Sequence, residues 1–345
     1  MNPVIESLPV LILYPHSRCN CRCVMCDIWK SDRAEEISAA ELQAHLDSIA
    51  SMRVEWIVFS GGEPLMHSDL FRLAALARGR GIRATLLTTG LLIARYCGRI
   101  VDSIDDVIVS LDGPRKVHDA IRRVPGAFDL MAAGVRSLNG AIPVAARCTV
   151  QCANHALLRE TVSAARSLGL ESISFLAADL ASSAFNRADG WPPDRQNAVA
   201  PARHELPALE YEIEALIAQE RGRGYVLESP KKLRRIVRHF RAHHGLEEPE
   251  APRCNAPWAS AVIESGGDVR PCFFHQPIGN VKSQSLAEIL NGPRAIAFRS
   301  GLEVSENPVC RRCVCSLYRA GGPARDANET TSTPRPRAAP ARLKA

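Results

Sequence analysis

The chain has 345 residues, 46% of them hydrophobic, enough to bury one large core beside a smaller one. Its formal net charge is +6, and half of that sits in the tail after residue 320, where Arg325, Arg335, Arg337, Arg342 and Lys344 outnumber Asp326 and Glu329. What remains argues against a nucleic-acid face, no apolar run is long enough for a membrane span or signal peptide, and 12 cysteines in a cytoplasmic chain point to metal thiolates rather than disulfides.

From residue 10 to about 177, short apolar runs alternate with amphipathic ones, predicting strands at 10–14, 54–60, 82–87, 106–110, 144–150 and 172–176. Helices fall between them. The stretch 38–50 aligns Leu42, Leu46 and Ile49, and 155–168 aligns Leu158, Val162 and Ala165. Ser38 with Glu41 forms a capping box at the first of these. Six strand–helix repeats imply a parallel sheet with right-handed crossovers, and six units rather than eight imply an incomplete α/β barrel, (β/α)6. Residues 186–207, rich in Pro, Ala, Asp and Arg, read as a long loop. Helical patterns follow at 207–219 and 230–243, then a hairpin and its continuation over 261–264, 268–271 and 278–281, then a helix at 285–290. Beyond Gly321 the Pro-, Ala-, Arg- and Thr-rich sequence reads as disordered. The run Lys231, Lys232, Arg234, Arg235, Arg238 and Arg241 contains no acid among these positions. It reads as a solvated helix face or as a dock for a phosphorylated or carrier-bound substrate.

Four motifs sit where the predicted strands end. Cys19, Cys23 and Cys26 stand in C-x3-C-x2-C spacing just after the first strand. Zinc sites take four ligands, usually in two pairs, whereas three thiolates on one loop can hold three irons of a [4Fe-4S] cube and leave the fourth iron open. The second strand runs into Ser60-Gly61-Gly62-Glu63-Pro64, whose glycines let a ligand approach the main chain. The fourth runs into Ser110-Leu111-Asp112-Gly113-Pro114, followed by His118, Asp119 and Arg122. Near the other end, Cys254, Gly267 and Cys272 form C-x12-G-x4-C, with Cys310 and Cys313 in C-x2-C spacing beyond.

Together these motifs resemble the radical S-adenosylmethionine (SAM) superfamily, in its SPASM/twitch-domain branch. The resemblance implies a partial (β/α)6 radical SAM barrel followed by a small cysteine-rich twitch domain. It implies a SAM-binding [4Fe-4S] cluster on Cys19, Cys23 and Cys26, with Met25 as the hydrophobic residue before the third cysteine. Gly61, Gly62 and Glu63 match the loop that binds the amino group of SAM, and Ser110 and Asp112 are placed for its ribose or carboxylate. Arg122 is a candidate carboxylate partner, and Arg147 on the next strand competes for that role. A second, auxiliary [4Fe-4S] cluster is implied on Cys254, Cys272, Cys310 and Cys313, with structural zinc as the alternative. Cys315 could replace Cys313, and Cys21 reads as a bystander. Cys97, Cys148 and Cys152 read as buried thiols, while His118, His155, Glu171 and Asp179 read as structural.

The implied domains are the radical SAM core at 8–185, linker loop and helices at 186–249, the twitch module at 250–320 and a disordered tail at 321–345. The implied function is reductive cleavage of SAM to a 5′-deoxyadenosyl radical that abstracts hydrogen from a small molecule (sugar or natural product) or a peptide. The auxiliary cluster would accept an electron, and flavodoxin or ferredoxin would serve as reductant. Only 18 residues precede Cys19, fewer than the leader-recognition module such relatives often carry, which argues against a peptide recruited in cis. Two other classes stay open: a cofactor-maturation factor, and a non-catalytic Fe–S or zinc-binding regulatory protein.

Overall fold

A computed structural model describes residues 1–187 and 189–319, so the tail expected to be disordered lies outside the described residues. Six parallel strands form in chain order: β1 (Val10–Leu13), β2 (Trp56–Phe59), β3 (Arg83–Thr88), β4 (Asp106–Ser110), β5 (Val144–Val150) and β6 (Ile173–Ala177). Between them run α1 (Ala39–Ser51), α2 (Leu70–Arg78), α3 (Ile93–Ser103), α4 (Arg115–Arg122), α5 (Ala127–Leu138) and α6 (Leu158–Ser167). The expected capping box opens α1: Glu41 N–H donates to Ser38 Oγ at 3.1 Å, and Ser38 N–H donates to the Glu41 carboxylate at 2.7 Å.

Alternation along the strands divides the sheet into two faces. On one face Leu11, Leu13, Ile57, Phe59, Leu86, Val107, Val109, Cys148 and Phe175 are buried in the core. The other face is half-open, with Ile12, Val58, Leu87, Ile108, Ser110 and Thr149 partly exposed and Arg147 exposed. The N-terminal end of this inner face is tied off by polar bonds. Trp56 Nε1 donates to Thr85 Oγ1 at 2.7 Å, and Arg83 Nε donates to Asp106 Oδ2 at 2.8 Å. The inner face is therefore open only toward the C-terminal ends of the strands, where parallel barrels place their chemistry.

The sheet does not stop at six strands. Its order is β6-β5-β4-β3-β2-β1-β7-β8-β9, with β7 (Ser260–Ile263), β8 (Asp268–Arg270) and β9 (Gly279–Asn280). β7 lies parallel to β1, Val10 opposite Ser260, and the next two strands turn back antiparallel. The hairpin read from sequence as a module of its own is thus continuous with the barrel sheet. At the opposite edge, Ile173 N–H donates to Tyr225 O and Leu227 N–H to Ile173 O, both at 3.0 Å, so the segment at 225–227 covers β6.

One expectation needs correction and one is narrowed to its solvated-face reading. Residues 186–207 are not one long loop: α7 (Pro193–Val199) and a 3-10 turn at Arg203–Glu205 fall within them, before α8 (Leu206–Glu220). Pro192 and Pro193 fix the backbone dihedral needed at a helix start, and a loop-like composition hid that role. Nor is the basic run on α9 (Pro230–His243) an open patch. Arg234 pairs with Glu214, Arg238 with Glu247 and Glu250, and Arg241 with Glu210 and Glu247, while Arg235 donates to the carbonyl of Cys313. The acids come from α8 and from the loop that directly follows α9. Four short helices complete the described chain: α10 (Ala256–Ala259), α11 (Leu286–Leu290), α12 (Pro293–Gly301) and α13 (Pro308–Arg311). No helix among the described residues is long and apolar enough to cross a membrane.

Candidate active site

The loop leaving β1 carries Cys19, Cys23 and Cys26 across the C-terminal end of the sheet, and backbone bonds fix it there. Arg22 N–H donates to Arg122 O at 3.1 Å and Val24 N–H to Ile121 O at 3.0 Å, joining the loop to the end of α4. All three thiols are free. Burial pushes Cys19 and Cys26 up to about 12, so both are protonated until a metal displaces the proton. Cys23 goes the other way, lowered by a hydrogen bond from the Cys21 thiol and by the Arg122 guanidinium. Cys21 is fully buried, its thiol against Cys23.

The Gly61-Gly62-Glu63 turn at the end of β2 presses directly on this loop. Glu63 N–H donates to Arg18 O at 2.9 Å. A Cβ at Gly62 would stand 1.9 Å from that same oxygen, and Gly61 holds φ at +97° under the ring of Tyr14. His16 is neutral here. Its Nε2–H donates to Glu63 O at 2.5 Å, its Nδ1 accepts from Arg18 N–H at 3.0 Å, and burial lowers its pKa. The Glu63 carboxylate faces inward and is fully buried. It accepts from Thr88 Oγ1 (2.7 Å), Thr89 Oγ1 (2.6 Å), Thr89 N–H (2.7 Å) and Leu65 N–H (3.0 Å). Burial nevertheless raises its pKa. This side chain fastens β2 to β3, which leaves the backbone of the turn as the surface offered to a ligand.

At the end of β4, Asp112 and Arg122 form a buried ion pair, Nη2 to Oδ2 at 2.6 Å. Asp112 Oδ1 also accepts from Thr149 N–H at 2.9 Å, and Arg122 Nη1 reaches Cys23 Sγ at 3.5 Å. Both residues are therefore occupied in holding the cluster loop against the barrel. His118 Nδ1 accepts from Asp112 N–H at 3.2 Å, and burial brings its pKa down to about 4. Ser110 stands opposite Arg147 in register on the inner face. Arg147 bonds only loosely, to Ser174 Oγ at 3.3 Å. Of the two arginines that compete for a carboxylate, Arg147 is the one open to the barrel interior.

Sequence reasoning passed over a third set of residues, after β6. Arg187 is ion-paired to Asp179 at 2.9 Å, lies 3.5 Å from the centre of the Trp191 ring, and donates to Met25 O at 2.6 Å. Arg195 donates to Val24 O at 2.5 Å, Trp191 Nε1 to Asp27 Oδ2 at 2.6 Å, and Asn186 Nδ2 to Asp27 O at 3.3 Å. The segment braces the far side of the cysteine loop, its side chains donating to that loop's carbonyls and to the Asp27 carboxylate. The only sequence signal was an Arg- and Trp-bearing stretch in a place called loop. Asp179, read as structural, anchors it; His155 merely bonds Cys152 O through Nδ1.

Cys254, Cys272, Cys310 and Cys313 come from the start of α10, the end of β8 and the α13 turn. Burial pushes Cys272 up to about 12 and Cys310 to about 11. His275 Nε2 approaches Cys310 Sγ at 3.4 Å, and Cys313 Sγ donates to Cys315 O at 2.5 Å while Cys315 itself is exposed. Among the described residues no three His, Cys, Asp or Glu side chains lie close enough to share one metal ion. A mononuclear zinc draws all four sulfurs to one centre, about 2.3 Å from each. In a cube each thiolate binds its own iron, so the sulfurs stand further apart. Both sets are made of thiols, the ligands that iron–sulfur clusters take.

Comparison with known proteins agrees with this geometry. Residues 13–162 match the family described as the radical SAM superfamily, and 254–314 match the SPASM family, an iron–sulfur cluster-binding domain. The chain is similar to Fe-coproporphyrin III synthase of Methanosarcina barkeri, 39% identical over 38% of this chain, but spans only 34% of that protein's length. It is 29% identical to pre-heme d1 synthase of Dinoroseobacter shibae, over 90% of this chain and 80% of that protein. Streptococcus suis SuiB, solved bound to its precursor peptide SuiA, shares the fold with a TM-score of 0.65 at 15% identity, over 92% of this chain and 73% of that one.

Proposed function

Since the chain belongs to the radical SAM superfamily, in the branch with a C-terminal SPASM domain, and is an enzyme using SAM and [4Fe-4S] clusters, we propose that it oxidises a small molecule or peptide by hydrogen abstraction. The observation that carries this is the seating of the three-cysteine loop at the open end of the barrel, with Gly62 and Glu63 backbone packed 2.9 Å against it. In this reading Cys19, Cys23 and Cys26 hold the SAM-binding cluster, and Cys254, Cys272, Cys310 and Cys313 the auxiliary one. When bound, the cluster and SAM supply an electron and a 5′-deoxyadenosyl radical that removes a hydrogen atom from the substrate.

The protein's own groups position and shield. The backbone of the Gly61-Gly62-Glu63 turn takes the amino end of SAM, and the missing side chains let that turn pack tightly under Tyr14 and on Arg18 O. Arg147 grips the SAM carboxylate in place of Arg122, with Ser110 beside it. Asp112 and Arg122 hold Cys23 in place, and Glu63 keeps its turn rigid through Thr88 and Thr89. Cys254, Cys272, Cys310 and Cys313 would hold an auxiliary cluster that would supply an electron acceptor for the substrate, and a flavodoxin or ferredoxin would serve as reductant. The heme-synthase names of the relatives support a tetrapyrrole-like small molecule; the SuiB likeness supports the fold alone.

The test is anaerobic reconstitution, with iron and sulfide per chain and 5′-deoxyadenosine measured under dithionite and SAM. We expect about eight irons, falling to about four in the Cys19→Ala/Cys23→Ala/Cys26→Ala variant, with loss of 5′-deoxyadenosine. Zinc in place of iron, or a fully loaded protein that leaves SAM intact, would return the protein to a binding or regulatory role.

A further inference from the structure

The two cysteine sets sit in opposite electrostatic settings. Around the N-terminal loop the buried charges are Arg122 and Arg187 against the carboxylates of Asp27, Glu63, Asp112 and Asp179. Each arginine there has its own acid, Arg122 with Asp112 at 2.6 Å and Arg187 with Asp179 at 2.9 Å. Among the described residues from 250 onward no carboxylate is buried. What approaches the auxiliary cysteines instead is Arg235 of α9, whose guanidinium donates to the carbonyl of Cys313. Arg234, Arg238 and Arg241 on the same helix each pair with a carboxylate, whereas among the described residues none pairs with Arg235. Its Nε is enclosed and has no partner. The cavity on its other side, about 380 Å³, is lined by a single acid among the described residues, Glu250, and Arg238 already holds that one.

Hydrogen bonds to sulfur do not separate the two sets. Ile28 N–H reaches Cys26 Sγ at 3.4 Å and Arg122 reaches Cys23 Sγ at 3.5 Å; Ala256 N–H and His275 reach Cys254 and Cys310 Sγ, each at 3.4 Å. The difference lies in charge. Burial, the largest cause, lowers the Arg235 pKa, while Cys313, Glu250, Cys254 and Cys315 act against it, which places the guanidinium among the auxiliary thiols. A partly buried cation is costly unless an anion meets it. Four thiolates around a [4Fe-4S] core carry net negative charge, so the cluster these cysteines would hold is the anion that the protein's own carboxylates do not supply.

We propose that Arg235 is the counter-charge of the auxiliary cluster and raises its reduction potential, making it a better acceptor for the electron left on the substrate. This rests on the function proposed above and assigns it a positioning residue, one that acts through the cluster and touches neither substrate nor SAM. A fixed positive charge favours the reduced, more negative state, since net charge is among the factors that set the potential of such clusters. In that reaction the substrate gives up a hydrogen atom, then one electron to the auxiliary side and one proton to water. Arg235 draws the electron that way, while the paired arginines of the N-terminal set add no such pull. At an effective dielectric near 20, a unit charge about 10 Å away changes a one-electron equilibrium by about tenfold, which is about 60 mV.

The test is an anaerobic potentiometric titration of the reconstituted full chain, followed by electron paramagnetic resonance. It uses the Cys19→Ala/Cys23→Ala/Cys26→Ala background, where only the auxiliary cluster remains to be read. Arg235→Gln and Arg235→Met should each lower its midpoint by about 60 mV, a tenfold change in the equilibrium constant, and Arg235→Lys should keep most of the parent value. Arg234→Gln, on the exposed side of the same helix and paired with Glu214, should leave the midpoint in place. Iron per chain reports loading: neutral variants that cannot hold iron where Arg235→Lys can would also support a counter-charge. Loaded neutral variants with the parent midpoint, Arg235→Lys falling as far as Arg235→Gln, an equal shift in Arg234→Gln, or loss of iron in all three Arg235 variants would overturn the proposal. A parent chain that takes zinc, or no metal, at the auxiliary cysteines would instead overturn the function on which it rests.

Discussion

Gly62→Ala is the sharpest perturbation the cluster loop offers. The added Cβ would lie 1.9 Å from Arg18 O, 2.7 Å from Arg18 C and 3.3 Å from Cys19 N, all backbone atoms with no rotamer to escape into. Ordinary contact begins near 3.4 Å, so the loop must withdraw by more than an ångström. That motion breaks the 2.9 Å bond from Glu63 N–H to Arg18 O, worth about 0.5–1.5 kcal/mol, and adds an overpacking cost of about 1–3 kcal/mol. Together the loss is about 1.5–4.5 kcal/mol, and it falls on the residue beside the first cysteine. Urea unfolding should show this loss, and anaerobic reconstitution should leave the variant short of the irons of the N-terminal cluster. Gly98→Ala is the matched control, since nothing stands within 4 Å of its new Cβ inside α3; it should gain about 0.5–1 kcal/mol. A Gly62→Ala protein with parental stability and full iron would refute the claim that this turn and the cysteine loop are one packed unit.

Arg122→Met strands the Asp112 carboxylate in the core and should destabilise by about 3–5 kcal/mol, read from the urea midpoint; Asp112→Asn added to it should recover at least half. His118 has a folded pKa of about 4 against an ordinary 6.5, so the unfolded chain binds the extra proton first. Stability from this group is complete above pH 6.5 and falls as pH drops toward 4, by about 1.4 kcal/mol at pH 5.5; His118→Phe should flatten that part of the profile. Cys315 is exposed while Cys313 is half-buried near Cys254 and Cys272, so Cys315→Ser should keep its full iron and Cys313→Ser should lose the auxiliary share, as iron and sulfide assays will show. Arg187→Met should cost about 3–5 kcal/mol through the unpaired Asp179 and should broaden the electron paramagnetic resonance signal of the reduced N-terminal cluster.

The strands were legible because the sheet's buried face alternates with an inner face, a local pattern with period two. Asp106–Ser110 and Val144–Val150 match the predicted bounds to the residue, and the others shift by one or two at their ends. Burial against helices wrote Ile57, Phe59, Val107 and Val109 into the sequence. What could not be read were pairings between distant segments. Nothing near residue 260 announces that β7 will lie beside β1, because a buried strand looks alike whichever neighbour it takes. The brace from Asn186 to Arg195 is invisible for a related reason: its donors satisfy carbonyls, which every residue has. Arg122 was singled out for its charge, yet its closeness to Asp112 arises only when the ends of α4 and β4 meet. The pairing of the basic run on α9 was hidden in the same way, since Glu210 and Glu214 come from the preceding helix, α8.

β1 is flanked on both sides, by β2 and by β7, and it is the strand from which the cysteine loop departs. It is made about 250 residues before its second neighbour, which begins at Ser260. At synthesis rates of roughly 5–20 residues per second, β1 waits on the order of 10–50 s with one bare edge. For that interval a nascent chain exposes unpaired amides and carbonyls next to three thiols. A cell making this protein must therefore either deliver iron late or shelter the emerging half-sheet, and a truncation near residue 250 would remain in that vulnerable state for good.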